Sequence, residues 1–68
     1  MIIQWVVVSG IFKMETDKAI LVEASDGSEV WLPKSQINDW DSGTAEPEDL
    51  IEIEIQEWLA NTHKELLS

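Results

Sequence analysis

Residues 19–33, AILVEASDGSEVWLP, consist of two apolar runs separated by a turn sequence. Both runs are rich in β-branched, aromatic or other large apolar side chains, which is typical of strands. Asp26-Gly27 lies between them, and this dipeptide is the strongest short signal for a hairpin. The segment therefore predicts two antiparallel strands, at 19–24 and 29–32, with Pro33 either ending the second strand or placing it at a sheet edge.

Upstream of the hairpin, residues 2–15 have the same β-favouring composition and predict a further strand. Ser9-Gly10 interrupts it, which predicts a bulge or sharp bend of the kind that lets one long strand of a small barrel serve two sheets. Side chains alternate between the two faces of a strand. One face would carry Ile3, Trp5 and Val7, and the other would carry Ile2, Val6 and Val8.

Downstream of the hairpin, residues 34–37 predict one turn of 3₁₀ helix and residues 38–49 a polar loop. Residues 51–55, IEIEI, alternate strictly, which indicates a half-buried strand with isoleucines inward and glutamates outward. From residue 56 or 57 to residue 67 the pattern has a helical period. The predicted buried face of this helix carries Ile55, Leu59, Thr62 and Leu66.

The 68 residues make one domain, 1–68. The order of strands, loop and helix predicts a mainly β (α+β) fold: a small SH3-like or OB-like antiparallel barrel of four to five strands with one C-terminal helix. A core of this size is marginal, and no cysteine is present to form a disulfide. Tryptophan packing is the expected compensation, with Trp5 in the core, Trp31 and Leu32 filling the barrel, and Trp58 as core or barrel lid.

The charge of the chain is strongly negative. Fourteen acids stand against four bases, a formal net charge of −10. Proteins that bind DNA or RNA need cations to displace the counterions of the phosphates, so this balance argues against bare nucleic acid as a partner. The acids are densest between Asn38 and Asn61, where eight acids occur without a single base.

This acidic segment predicts docking on a basic protein surface, such as that of a nucleic-acid-binding protein. In the sharpest form of the prediction it imitates a nucleic-acid backbone, because Glu52 and Glu54 on one strand face would lie about 6.7 Å apart, twice the strand rise. Trp40 is a candidate anchor, since tryptophan is enriched among interface hot spots. The predicted partner-binding residues are Asp39, Trp40, Asp41, Glu46, Glu48, Asp49, Glu52, Glu54 and Glu57.

Other interpretations of the same residues stay open. A run of like charges is by default a solvated face, and Trp40 could instead fold back to cover an open barrel end. Asp39 and Asp41, with Ser42 and Gly43, weakly resemble a calcium loop. The ligand spacing of an EF-hand and its closing glutamate are missing from this sequence.

Nothing in the sequence singles out a catalytic site. His63 is the single histidine and is expected to be a surface group, and no nucleophile can be paired with it on sequence grounds. Carboxylates are plentiful, so an acid pair for hydrolysis stays open, but no two of them stand out. There is no glycine-rich phosphate loop and no zinc-ligand spacing. We therefore expect a non-enzymatic protein with no cofactor and no metal.

Three segments carry a resemblance to a known kind of domain: residues 16–22, residues 26–37 with the Trp31–Gln36 box WLPKSQ, and residues 53–60 with the closing Trp-Leu-Ala. Together they resemble a small domain found in uncharacterised proteins of bacteriophages and mobile elements. The resemblance extends from Thr16 to Leu67, with Gln56 at a position where such domains often have proline. It implies the same fold and no particular activity, and it makes an inhibitor of a host nuclease or host defence protein a concrete form of the predicted function.

No apolar stretch approaches the roughly 20 residues of a membrane span, and the apolar start lacks the basic residues of a signal peptide. We expect a cytoplasmic protein, in the host cytoplasm if it is phage-encoded. Two alternative functions remain. One is an OB-like single-stranded nucleic-acid-binding module that stacks bases on Trp31 or Trp40. The other is a structural accessory module that forms a homodimer through a strand edge.

Overall fold

The computed structural model describes residues 4–38, 40–41, 43 and 45–66. Within these residues, five antiparallel strands form one sheet in the order β3-β2-β1-β5-β4. The elements in chain order are β1 (Trp5–Glu15), β2 (Ala19–Glu23), β3 (Glu29–Pro33), a 3₁₀ turn (Lys34–Gln36), β4 (Ile37–Asn38), β5 (Leu50–Gln56), α1 (Glu57–Thr62) and a second 3₁₀ turn (Lys64–Leu66).

Strand β1 is the centre of the sheet because it pairs with two neighbours in succession. Its first part, up to Ile11, pairs with β5, and its last part, from Ile11 onward, pairs with β2. One long strand therefore takes part in two successive pairings, but within a single sheet and not between two sheets as predicted. The predicted bulge at Ser9-Gly10 is wrong, since the register with β5 runs unbroken there, and the irregularity lies between Phe12 and Met14.

Gly10 allows the close approach of β1 and β2. A Cβ atom at this position would overlap Val22 Cγ1 and would lie 2.8 Å from the backbone oxygen of Glu23. Real Cβ atoms essentially never come so close to other atoms, and a backbone oxygen cannot rotate aside. The glycine that the sequence suggested as a bulge therefore serves close strand packing instead.

The β2–β3 hairpin forms as predicted, with Val22 opposite Val30. Its loop is a turn closed by a 2.9 Å hydrogen bond from the Gly27 N–H to the Ala24 oxygen, with Gly27 at φ +89°. Glycine adopts this left-handed conformation without steric cost. The Ser28 N–H donates to Asp26 Oδ1 over 2.9 Å, and this bond to the charged carboxylate lowers the pKa of Asp26.

The two outer strands of the sheet are joined by the predicted 3₁₀ turn. After β3 the chain makes this turn and enters β4, where Ile37 lies opposite Ile55 of β5. The sheet thereby curls toward itself in a small barrel-like fold with one C-terminal α-helix, which confirms the predicted class. The two-residue strand β4 was not predicted.

The core lies between the inward faces of the curled sheet and α1. The strict alternation of β5 is confirmed, since Ile53 and Ile55 are buried and Glu52 is exposed. No helix in the described part of the chain is long and apolar enough to span a membrane. The buried core residues are Val8, Phe12, Ile20, Val22, Ala24, Val30, Leu32, Ile37, Ile53, Ile55, Leu59, Ala60 and Leu66.

Three tryptophans predicted to be core residues lie at the surface. Trp5, Trp31 and Trp58 are 38%, 48% and 54% exposed. Trp31 points away from the core because its neighbours in β3, Val30 and Leu32, point inward. The same alternation applies in β1 and turns Trp5 outward.

The predicted helical face is partly wrong. Leu59 and Leu66 are buried as expected, but Thr62 is exposed. The α-helix ends at Thr62, and the second 3₁₀ turn brings Leu66 to the core. A single helical period therefore does not extend over the whole segment.

Replacing Gly10 by alanine is expected to lower the free energy of unfolding by about 1–3 kcal/mol, because the new methyl group overlaps the backbone of β2. Urea denaturation measures the change. The matched control is Ser9→Ala at the neighbouring exposed position, for which a change within about 0.5 kcal/mol is expected. Equal stability of the two variants would contradict the close-packing role of Gly10.

The lowered pKa of Asp26 predicts a pH dependence of stability. The charged carboxylate adds to the free energy of unfolding. This contribution is complete above the ordinary aspartate pKa of about 3.9 and is lost as the pH falls through the lower pKa of the folded state. Asp26→Ser, which keeps an oxygen for the turn, should therefore lower stability at pH 7 and narrow its gap to the wild type toward pH 2. Urea titrations at both pH values measure the gap, and a gap that stays constant would refute the role of the charge.

Candidate functional site

The outer face of the β1–β5 pair carries a mixed row of apolar and acidic side chains. Val7 lies opposite Glu54, and Ser9 lies opposite Glu52. Val7 is 58% exposed although it occupies the middle of a strand pair. Glu52 and Glu54 point to the same face, about 6.7 Å apart along the strand. The two glutamates therefore share one strand face, as the alternation of β5 predicted.

A groove of about 490 Å³ lies between this outer face and the loop that follows β4. We call it the acidic groove, because three predicted partner-binding acids, Asp41, Glu52 and Glu54, line it. The Asn38 side chain donates to Glu54 Oε1 over 3.0 Å and orients that carboxylate. The full lining consists of Val7, Asn38, Trp40, Asp41, Ala45, Ile51, Glu52, Ile53 and Glu54.

Trp40 folds back on the core, as the second interpretation of this residue had it. Its ring stacks on Phe12 with the centroids 5.7 Å apart, and its Nε1–H donates to Glu15 Oε2 over 3.2 Å. The side chain is half-buried and forms a wall of the acidic groove. It is a fixed part of the groove rather than a free anchor.

Glu15 holds the loop that carries Trp40. Besides the Trp40 indole, it pairs with Lys34 Nζ over 2.6 Å and accepts a 3.4 Å hydrogen bond from the Gly43 N–H. Both side chains of the ion pair are largely shielded from solvent. Lys34 of the WLPKSQ box therefore has a structural role: it joins the end of β1 to the first 3₁₀ turn.

Three other predicted acids belong to the turn before β5 and do not line the groove. Glu48 has φ +75°, and its N–H donates to the Phe12 oxygen over 2.7 Å. Its carboxylate pairs with Lys13 over 2.7 Å, which raises the pKa of that lysine. Asp49 accepts a 2.9 Å hydrogen bond from the Glu46 N–H. Glu48 therefore fastens the turn to β1, and the Asp49 carboxylate closes the turn itself.

The remaining two predicted partner-binding residues lie elsewhere. Glu57 is exposed at the first position of α1. Asp39 lies outside the described residues. The structure thus brings together three of the predicted acids at the groove, with Trp40 beside them, and separates the acids of the turn from them.

Sequence reasoning missed a pair of surface tryptophans at the end of the same outer face. Trp5 lies opposite Gln56 in the β1–β5 register, and Trp58 Nε1–H donates to Gln56 Oε1 over 3.0 Å. We call Trp5, Gln56 and Trp58 the aromatic end of the outer face. The alternation of β5 contained the signal, because it places Gln56 on the outward face together with Glu52 and Glu54.

No set of three histidine, aspartate or glutamate side chains in the described ranges is arranged to hold a metal ion. No protein-family model, curated protein or solved structure matches the chain. The resemblance to phage and mobile-element domains therefore stays a prediction.

Glu15→Gln is expected to destabilise the protein by about 1–2 kcal/mol, since it removes a shielded charge-assisted contact with Lys34. The matched control is Glu48→Gln, which removes a far more exposed pair with Lys13 and should cost less. Urea denaturation followed by circular dichroism gives both values. A loss for Glu15→Gln no larger than that for the control would contradict the role of Glu15 in holding the loop.

Proposed function

We propose that this chain is a small, acidic, non-enzymatic interaction protein that docks its acidic groove on a basic surface of a nucleic-acid-handling protein. The observation that carries the proposal is the composition of the groove. It combines carboxylates of Asp41, Glu52 and Glu54 with an exposed apolar side chain, Val7. None of the described residues that line it is a lysine.

This combination suits a protein partner. Carboxylates attract lysine and arginine side chains and speed the encounter, and this attraction weakens as salt screens it. The apolar side chains are buried when the complex forms, and the removal of their surface from water stabilises the complex. The carboxylates of Glu52 and Glu54 are spaced so that they can stand in for successive phosphates. The proposed docking surface on the partner is therefore its nucleic-acid-binding site.

Two of the four lysines form ion pairs with glutamates, which disfavours the alternative function of nucleic-acid binding. Lys13 contacts Glu48 and Glu23, and Lys34 contacts Glu15. A phosphate would have to displace these carboxylates and also approach a protein with a net charge of −10. The proposed setting is the cytoplasm, with an inhibitor of a host nuclease or defence protein as the concrete form that the phage resemblance suggests.

The test compares two charge reversals of equal size. Glu52→Lys with Glu54→Lys changes the groove, and Asp17→Lys with Glu29→Lys changes exposed acids in the β1–β2 connection and in β3. Each immobilised protein is exposed to the nuclease-treated, heparin-binding fraction of a bacterial lysate at low salt and eluted with a salt step. We expect the wild type and the second variant to retain the same basic proteins, and the groove variant to retain at least tenfold less.

Two outcomes would overturn the proposal. Equal losses in both variants would mean that net charge, and not the groove, attracts the proteins. Unchanged retention by the groove variant would mean that the groove takes no part. Thermal unfolding of each variant checks that the folded protein is being compared.

A further inference from the structure

The aromatic end of the outer face exposes two large rings that are each linked to Gln56. Trp5 and Trp58 are 38% and 54% exposed, and Gln56 is opposite Trp5 in the register and hydrogen-bonded to Trp58. Isolated exposed apolar side chains need no explanation, but clustered exposed aromatic rings mark interaction sites.

Trp58 is held in place before any partner arrives. Its Nε1–H is taken by Gln56 Oε1, and the next two residues, Leu59 and Ala60, are buried in the core. The indole therefore needs no further acceptor, and its orientation is fixed from both ends. A ring that is already ordered loses little conformational entropy on binding.

The aromatic end continues into the acidic groove along the same strand pair. The pair Trp5–Gln56 is followed on this face by Val7–Glu54 and then by Ser9–Glu52. Neighbouring pairs on one face are about 6.7 Å apart. An extended segment laid along the face would meet aromatic rings first and carboxylates one and two steps later.

We propose that the aromatic end binds an arginine side chain of an extended basic segment in the partner, whose following basic residues enter the acidic groove. This inference rests on the proposed function and adds the chemistry of the partner. Charge complementarity selects the occupant, because Glu54 lies one pair further along the same face, Glu57 directly precedes Trp58 in the chain, and the paired stretches of β1 and β5 (residues 5–11 and 50–56) contain no lysine. A cation can lie against the face of an indole while a nearby carboxylate balances its charge.

Arginine suits this site better than lysine. Its planar guanidinium stacks on an aromatic ring and donates to a carboxylate with two parallel N–H groups, whereas the lysine ammonium is a compact, strongly hydrated charge. Residues at every second position of an extended segment are about 6.7 Å apart, which equals the repeat of the outer face. A segment with alternating arginines therefore matches the face in both chemistry and spacing.

The probe is a labelled peptide of alternating arginine and threonine, compared with a lysine–threonine peptide of equal length and charge. Binding is measured by fluorescence anisotropy at several salt concentrations. We expect the wild type to prefer the arginine peptide. Trp58→Ala should weaken arginine-peptide binding about three- to thirtyfold and remove the preference over lysine.

The matched control is Trp31→Ala, since Trp31 is 48% exposed and lies in β3, outside the β1–β5 pair. It should change binding by less than about twofold. Trp58→Phe, which keeps an aromatic ring, should bind with intermediate strength and provides the test if the alanine variant does not fold. The inference is overturned if Trp58→Ala and Trp31→Ala bind equally, or if the wild type binds both peptides alike.

The two proposals fail in different ways. If Trp58→Ala binds normally while Glu52→Lys with Glu54→Lys does not, the anchor is refuted and the groove remains. If that double variant binds the arginine peptide as the wild type does, the groove itself is refuted.

Discussion

The architecture depends on a close approach of two strands at Gly10. Strand β1 leaves β5 and joins β2 around Ile11, which is paired with both neighbours. At this point the Val22 side chain and the backbone of Glu23 occupy the space that a Cβ of residue 10 would need. Without this passage the sheet would divide into the β2–β3 hairpin and the three strands β1, β5 and β4. The isolated hairpin could not bury enough apolar surface to be stable.

The same pairing decides which side of β1 becomes a surface. Because Val8 lies opposite Ile53, its side chain joins the inward isoleucines of β5, and the alternation places Phe12 on the same inward side. Trp5 and Val7 are thereby placed outside. A slip by one residue would exchange the two faces. The outer face, with its groove and its aromatic end, is thus a consequence of how the core is packed.

Local sequence patterns predicted much of the fold and little of the site. The hairpin and the alternation of β5 are encoded in neighbouring residues, so pattern and propensity were sufficient. The orientation of Trp5 could not be predicted from local patterns. Both faces of β1 are apolar, and only the pairing with β5 decides which face turns inward. The contacts of Glu15 with Lys34 and Trp40 join residues far apart in sequence, which no local pattern reveals.

The structure divides the acids into two groups with different consequences for stability. Glu15 and Glu48 neutralise lysines and fasten a loop and a turn, so the fold gains from their charge. Glu52 takes part in no ion pair within the described ranges and shares its strand face with Glu54. Like charges at neighbouring positions on a strand face repel one another, so the fold gains nothing from this arrangement. A basic partner would remove that repulsion on binding, and this favours the outer face of β5, rather than the acidic turn before it, as the docking surface that we propose.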